Sequence, residues 1–192
     1  MHQTEQKRYS KTTALVLCGI FAALMAICSF ITIPLGFTPV PINLATLGVF
    51  LTGGILGKKY GSISLIVYIL LGAVGVPVFA GFKGGLGVLA GPTGGYIIGY
   101  LAAAFLTGLL VELVFTKTGT DSGQRSTKSS TSRFIGIILA MIAGLAACYA
   151  LGTAWFMIST GTGLGAALIS CVIPFLPGDA AKIIVGTLLV QK

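Results

Sequence analysis

Acidic side chains are almost missing from this sequence. Glu5, Glu112, Asp121 and Asp179 are the four acids in 192 residues, and charged residues of both signs together make up 8%. A soluble domain covers its surface with about a quarter charged residues, so a free-standing soluble fold is excluded. Histidine occurs once, as His2 in the polar N-terminal tail. That removes a serine–histidine nucleophile within the membrane. An aspartyl dyad needs two carboxylates sharing a proton, and only Asp179 falls deep within apolar sequence. Cys18, Cys28, Cys148 and Cys171 stand singly, without metal-ligand spacing, and read as small core residues. The Gly-Lys pair in GGILGKKY, residues 53–60, lacks the rest of a phosphate-binding loop: Thr52 stands where the first glycine belongs and Lys59 where Ser or Thr belongs. These absences exclude an enzyme and leave carriage or binding, with no cofactor expected.

What is present is apolar. Hydrophobic residues supply 55% of the chain and the mean hydropathy is +1.01. Residues 134–178 run for 45 positions without a formal charge. One membrane helix needs about 20 apolar residues, so this stretch must cross, turn and start back. Six apolar runs predict six membrane helices: 14–33, 42–57, 62–80, 95–115, 134–158, and a sixth ending near Val190. Pro174, Pro177 and Gly178 suggest that the sixth becomes a regular helix only at about 178, after an irregular or half-helical segment from 163. The runs are too long for barrel strands and do not alternate. The expected fold is therefore an all-α integral membrane protein: a tail at 1–13, then one six-helix domain over 14–190. The first run exceeds a signal-peptide core and reads as a retained helix. A Ser/Thr/Gly-rich basic stretch at 116–133 reads as a flexible cytoplasmic connector.

Basic residues set the orientation. With both termini in the cytoplasm, ten of the twelve lysines and arginines fall on the inner side; Lys83 lies in an outer loop and Lys182 within a span. The net charge of +8 is then explained by an anionic lipid surface, without nucleic acid. Asp179 lies 13 residues before Lys192, about 20 Å of helix, which places it in the outer half of the bilayer. Lys182 is one turn deeper on the same face. Ionisable groups at such depth cost several kcal/mol unless paired or wetted, and so mark functional sites by default. The same residues also fit a simple helix start, with Asp179 at the positive end of the dipole and Lys182 pairing or snorkelling.

Three outer connections, 36–43, 78–96 and 159–179, are rich in Gly and Pro yet nearly as apolar as the helices. Non-helical backbone at membrane depth survives only where it is buried in protein or lines a cavity. These Gly/Pro-rich loops are expected to lid an outward-facing pocket with Asp179 on its floor.

FTPVPINLATLGVFLTGGILG (37–57), GAVGVPVFAGFKGGLGVLAGPTGGYIIGY (72–100) and PGDAAKIIVG (177–186), in that order on six predicted helices, resemble the biotin-specific substrate-binding component of energy-coupling factor (ECF) transporters, the S component of the BioY family. The resemblance implies a protein of the cell membrane that captures biotin at the outer face with high affinity and hydrolyses no ATP. It also implies a transmembrane coupling protein and two cytoplasmic ATPases as partners, with the S component toppling in the membrane to deliver its vitamin. The family's membrane acid and base match Asp179 and Lys182, and the tyrosine ending its glycine loop matches Tyr96. An Ala-x-x-x-Ala docking pair on the first helix matches Gly19 and Ala23. There, Ala14, Cys18, Ala22 and Ala26, beside Gly19 and Ala23, form a small-residue face that serves either internal packing or docking. One departure is at Ala45, where the family carries a glutamine; Asn43 is the amide that could take its place.

Biotin's chemistry suits these residues. Its ureido ring offers two N–H donors and a carbonyl, fitting Asp179 and Asn43. Its apolar ring and tail want walls such as Phe37, Phe79 and Tyr96, although packing serves Phe79 and Tyr96 equally well. Its carboxylate wants Lys182 or Lys83, and either end of the ligand can face Lys182. The competing reading is a stand-alone secondary transporter or channel with Asp179 as its coupling site, which inverted halves would favour; none is evident.

Overall fold

The computed structural model describes residues 10–119 and 127–191. Helices α1 (Lys11–Phe30), α2 (Ala45–Ala73), α3 (Leu86–Ala90), α4 (Gly94–Gly119), α5 (Thr127–Thr160), α6 (Leu164–Cys171) and α7 (Leu176–Val190) make up most of it. Five segments are long and apolar enough to cross a membrane: Lys11–Phe30, Ala45–Ala73, Gly94–Thr116, Thr131–Thr160 and Leu164–Val190. Residues 1–9 of the expected tail lie outside the described residues, and Ser10 caps α1 by accepting the Thr13 amide at 3.1 Å.

The second and third runs of the sequence fall together in α2, which is not one rod. Gly57 has φ 74° and ψ 178°, a conformation that is essentially glycine's alone. The chain doubles back there. A β-carbon on Gly61 would lie 3.0 Å from the Thr52 carbonyl oxygen and 3.2 Å from the Gly53 Cα, whereas a straight helix holds such residues at least about 12 Å apart. From α4, Glu112 secures the turn: Oε1 accepts the Lys58 amide at 3.0 Å and Oε2 lies 3.4 Å from the Lys58 ammonium. The carboxylate thus sits at the positive end of the second arm. Gly108 lets α4 approach this closely, since a β-carbon there would meet the Lys58 nitrogen at 2.5 Å.

The small-residue face of α1 divides between two surroundings. Ala14, Cys18, Ala22 and Ala26 are buried against the bundle, where Ser64 donates to the Cys18 carbonyl at 2.9 Å. Gly19 and Ala23 point outward, and nothing lies within 4 Å of a β-carbon on Gly19. This outer face continues through Val16, Ile20 and Ile27, all exposed as membrane-facing positions are.

Two features go beyond the all-helical expectation. Short strands β1 (Thr32–Ile33) and β2 (Ile42–Asn43) pair antiparallel, Thr32 opposite Asn43, and close the base of the proline-rich loop between them. Pro34, Pro39 and Pro41 keep that loop out of helix. The irregular or half-helical stretch expected from 163 is α6, then a 3-10 turn at Ile173–Phe175, then α7 two residues earlier than expected. α4 reaches Gly119 and α5 starts at Thr127, so the expected connector is helical at both ends; residues 120–126 lie outside the described residues.

Candidate functional site

A cavity of about 340 Å³ opens at the end of the bundle where the 31–43 loop, the 74–93 connection and the start of α7 meet. That volume lies within the range of small-molecule sites.

Its floor is built on α7. Pro177 stands in the first turn, and Asp179 follows where the helix dipole favours a carboxylate. The carboxylate does not cap its own helix; three other side chains occupy it. Thr46 Oγ1 donates to Oδ1 at 2.8 Å, Lys182 Nζ donates to the same oxygen at 2.7 Å, and the Tyr149 hydroxyl donates to Oδ2. Asp179 is 2% exposed and Lys182 8%. Lys182 also donates to Thr46 Oγ1 at 3.0 Å and to the Asn43 carbonyl oxygen at 2.6 Å. An ammonium has three donors, so this network consumes all of them. A carboxylate oxygen accepts about two bonds, so Oδ2, holding only Tyr149, keeps room for one more. The floor can therefore accept a hydrogen bond from a ligand N–H but has no free cation for a ligand anion.

Asn43 sits at the junction of β2 and α2. Its Oδ1 accepts the Ala45 amide at 3.0 Å, which fixes the side chain, and both Asn43 and Tyr100 line the cavity. Ala45, where the family glutamine would stand, is fully buried and does not line the cavity.

Of the residues singled out in the sequence, Asp179, Lys182, Asn43, Tyr96 and Lys83 all line this one cavity. Tyr96 is held in place: its hydroxyl bonds Thr153 Oγ1 at 3.1 Å and the Cys171 carbonyl at 3.4 Å. Lys83 is solvent-exposed at the mouth and has no ion pair among the described residues. Phe37 and Phe79 do not line the cavity. Phe37 is 65% exposed, on the outer side of the proline-rich loop. Phe79 is 1% exposed, its ring edge-on to Tyr68 at 5.5 Å and seated over Gly72, where a β-carbon would overlap it. Their expected wall is formed instead by tyrosines 68, 96, 100 and 149.

Sequence reasoning missed Thr46, Tyr149, Tyr68 and Ser29; Ser29 and Tyr68 bond each other at 2.8 Å in the wall. A signal existed for Tyr149, a hydroxyl in the middle of the 45-residue uncharged run, where a buried tyrosine needs a partner. Thr46 had none beyond its place three residues after Asn43.

The model of the BioY family matches residues 2–192. Among similar proteins are biotin transporter BioY of Thermotoga maritima, 39% identical over 179 residues (93% of this chain, 94% of the relative), and that of Rhizobium etli, 37% identical over 179 residues (93% and 91%). Biotin transporter BioY of Rhodobacter capsulatus is 39% identical over 184 residues, 91% of this chain and 90% of its own length. A crystal structure of the S-component for biotin from an ECF-type ABC transporter matches with TM-score 0.77 at 32% identity, covering 99% of this chain and 93% of that one. With the family model spanning nearly every residue, the chain belongs to the BioY family.

Proposed function

We propose that this chain is the biotin-binding S component of an ECF-type importer in the cell membrane. It crosses the bilayer six times, the two arms of α2 counting as separate crossings, with both termini cytoplasmic. Lys58 and Lys59 at the α2 turn and Arg133 at the start of α5 fall on the inner side in this orientation, and the cavity opens outward. A transmembrane coupling protein docks on the Gly19–Ala23 face, and two cytoplasmic ATPases supply the energy that no group in this chain supplies. The membership and the names of its relatives support this reading. The observation that carries it is the split of cavity polarity: one acceptor position on a buried carboxylate at the floor and, at the mouth, a lysine without an ion pair among the described residues.

That split orients the ligand. The ureido ring lies on the floor, one N–H on Asp179 Oδ2 and its carbonyl facing Asn43 and the tyrosine hydroxyls. The tail runs out between apolar walls to Lys83, and Lys182 tunes the floor without touching biotin. The test is equilibrium binding of biotin to the purified chain without nucleotide, followed by calorimetry or Trp155 fluorescence. Nanomolar binding is expected, about −12 kcal/mol at 1 nM. A folded sample that fails to bind at micromolar biotin overturns the assignment.

A further inference from the structure

Lys83 is carried on a turn built in an unusual way. Phe79 and Lys83 exchange both backbone hydrogen bonds, at 2.9 and 3.3 Å, which closes a loop of Ala80, Gly81 and Phe82. Gly81 has φ 70° and Phe82 has φ 57°. Among the described residues Phe82 is the one non-glycine residue at positive φ, a region in which a bulky side chain is strained. Burial does not compensate, since Phe82 is 66% exposed. What its ring does is stack on Phe30, with centroids 4.4 Å apart and planes 22° from parallel. Phe30 ends α1 and packs on the core, and Phe79 roots the other leg of the turn beneath Tyr68. The turn is therefore clamped at its base by Phe79 and at its tip by Phe30, with Lys83 directly after the strained residue.

We propose that the Phe30–Phe82 stack positions the Lys83 ammonium over the cavity mouth, making Phe82 a positioning residue for the acidic tail of the ligand. The proposal rests on the reading that Lys83 binds that tail. A lysine on a mobile loop loses backbone and side-chain freedom on meeting a carboxylate, and a clamped turn has lost the backbone part beforehand. The strain at Phe82 is a local cost that the stack offsets.

The experiment compares biotin with biotin methyl ester, which lacks the anion, on wild type, Phe82→Ala, Phe30→Ala, Phe82→Tyr and Lys83→Met. Wild type should prefer the acid by about tenfold, as expected for one charge-assisted contact, and Lys83→Met should abolish the preference. Phe82→Ala and Phe30→Ala should weaken acid binding about three- to tenfold while leaving the ester unchanged, and Phe82→Tyr, which keeps a stacking ring, should behave as wild type. Unchanged ester affinity also certifies that each variant is folded. Acid preference retained in full by Phe82→Ala overturns the proposal, as does an equal loss for both ligands, which would make the stack a general support of the fold. A wild type that treats acid and ester alike, or a Lys83→Met variant that keeps the preference, instead overturns the reading of Lys83 and the proposal with it.

Discussion

Removing the charge from both members of the floor pair separates what the pair does for the fold from what it does for the ligand. Asp179→Asn alone leaves the Lys182 ammonium buried among neutral acceptors: Thr46 Oγ1, the Asn43 carbonyl and the oxygen of the new amide. Stranding one partner of a buried ion pair costs about 3–5 kcal/mol. Adding Lys182→Met takes the unpaired charge away, and pairs replaced by uncharged groups of similar volume are often neutral in stability. The double variant should therefore unfold within about 1 kcal/mol of wild type, while Asp179→Asn unfolds several kcal/mol earlier. Binding should not recover in parallel. A bond to a carboxylate contributes about 1.5–3 kcal/mol and a neutral bond about 1, so an N–H resting on an amide oxygen loses about 0.5–2 kcal/mol, or roughly two- to thirtyfold in affinity. The assay is thermal unfolding in detergent without ligand, then calorimetry with biotin on the monodisperse fraction. Wild-type affinity in the double variant would refute the argument, because the carboxylate would then serve only the fold.

Tyr149→Phe removes the hydroxyl donor to Asp179 Oδ2; titration calorimetry should show about fivefold weaker binding, with the fold retained. Gly57→Ala forces a side chain into a glycine-only conformation against Glu112, and thermal unfolding should register a loss of about 1–3 kcal/mol with biotin affinity unchanged in the folded fraction. Ala23→Leu places bulk on an outward position of α1. It should leave biotin affinity intact while weakening co-purification with the coupling protein and ATP-dependent uptake in vesicles, because lipid offers nothing to replace close helix packing.

Much of the architecture was legible because a membrane makes hydropathy nearly sufficient. Run lengths located the span-length helices, and Gly and Pro located the loops that build the cavity mouth. The α2 break was less legible: GGILGKKYG reads as a gap between two runs, but the conformation at Gly57 depends on Glu112 approaching from a helix more than fifty residues away. Asp179 and Lys182 were visible because charge in apolar sequence is rare. Thr46 and Tyr149 were not, because their roles arise only when α2, α5 and α7 converge on one carboxylate. Phe79 was left open between packing and ligand contact, and the structure gives it packing. Its place in a glycine-rich loop suggested a ligand wall, while Gly72 beneath it leaves a slot that the ring fills.

The doubled-back α2 has a consequence for how the chain is made. Its arms, 45–56 and 58–73, are about 18 and 24 Å long, each shorter than the roughly 30 Å of hydrocarbon that a lone helix must cross. Neither arm is a strong candidate to leave the translocation machinery alone, and Lys58 and Lys59 at the start of the second resist entering lipid. Release into the bilayer is then best pictured as a joint event, with both arms moving laterally as a closed hairpin. The carboxylate that settles the turn belongs to Glu112, which is synthesised later. During translation the hairpin must wait for α4, and a ribosome stalled before α4 emerges should leave α2 accessible to water-soluble labelling reagents along both arms.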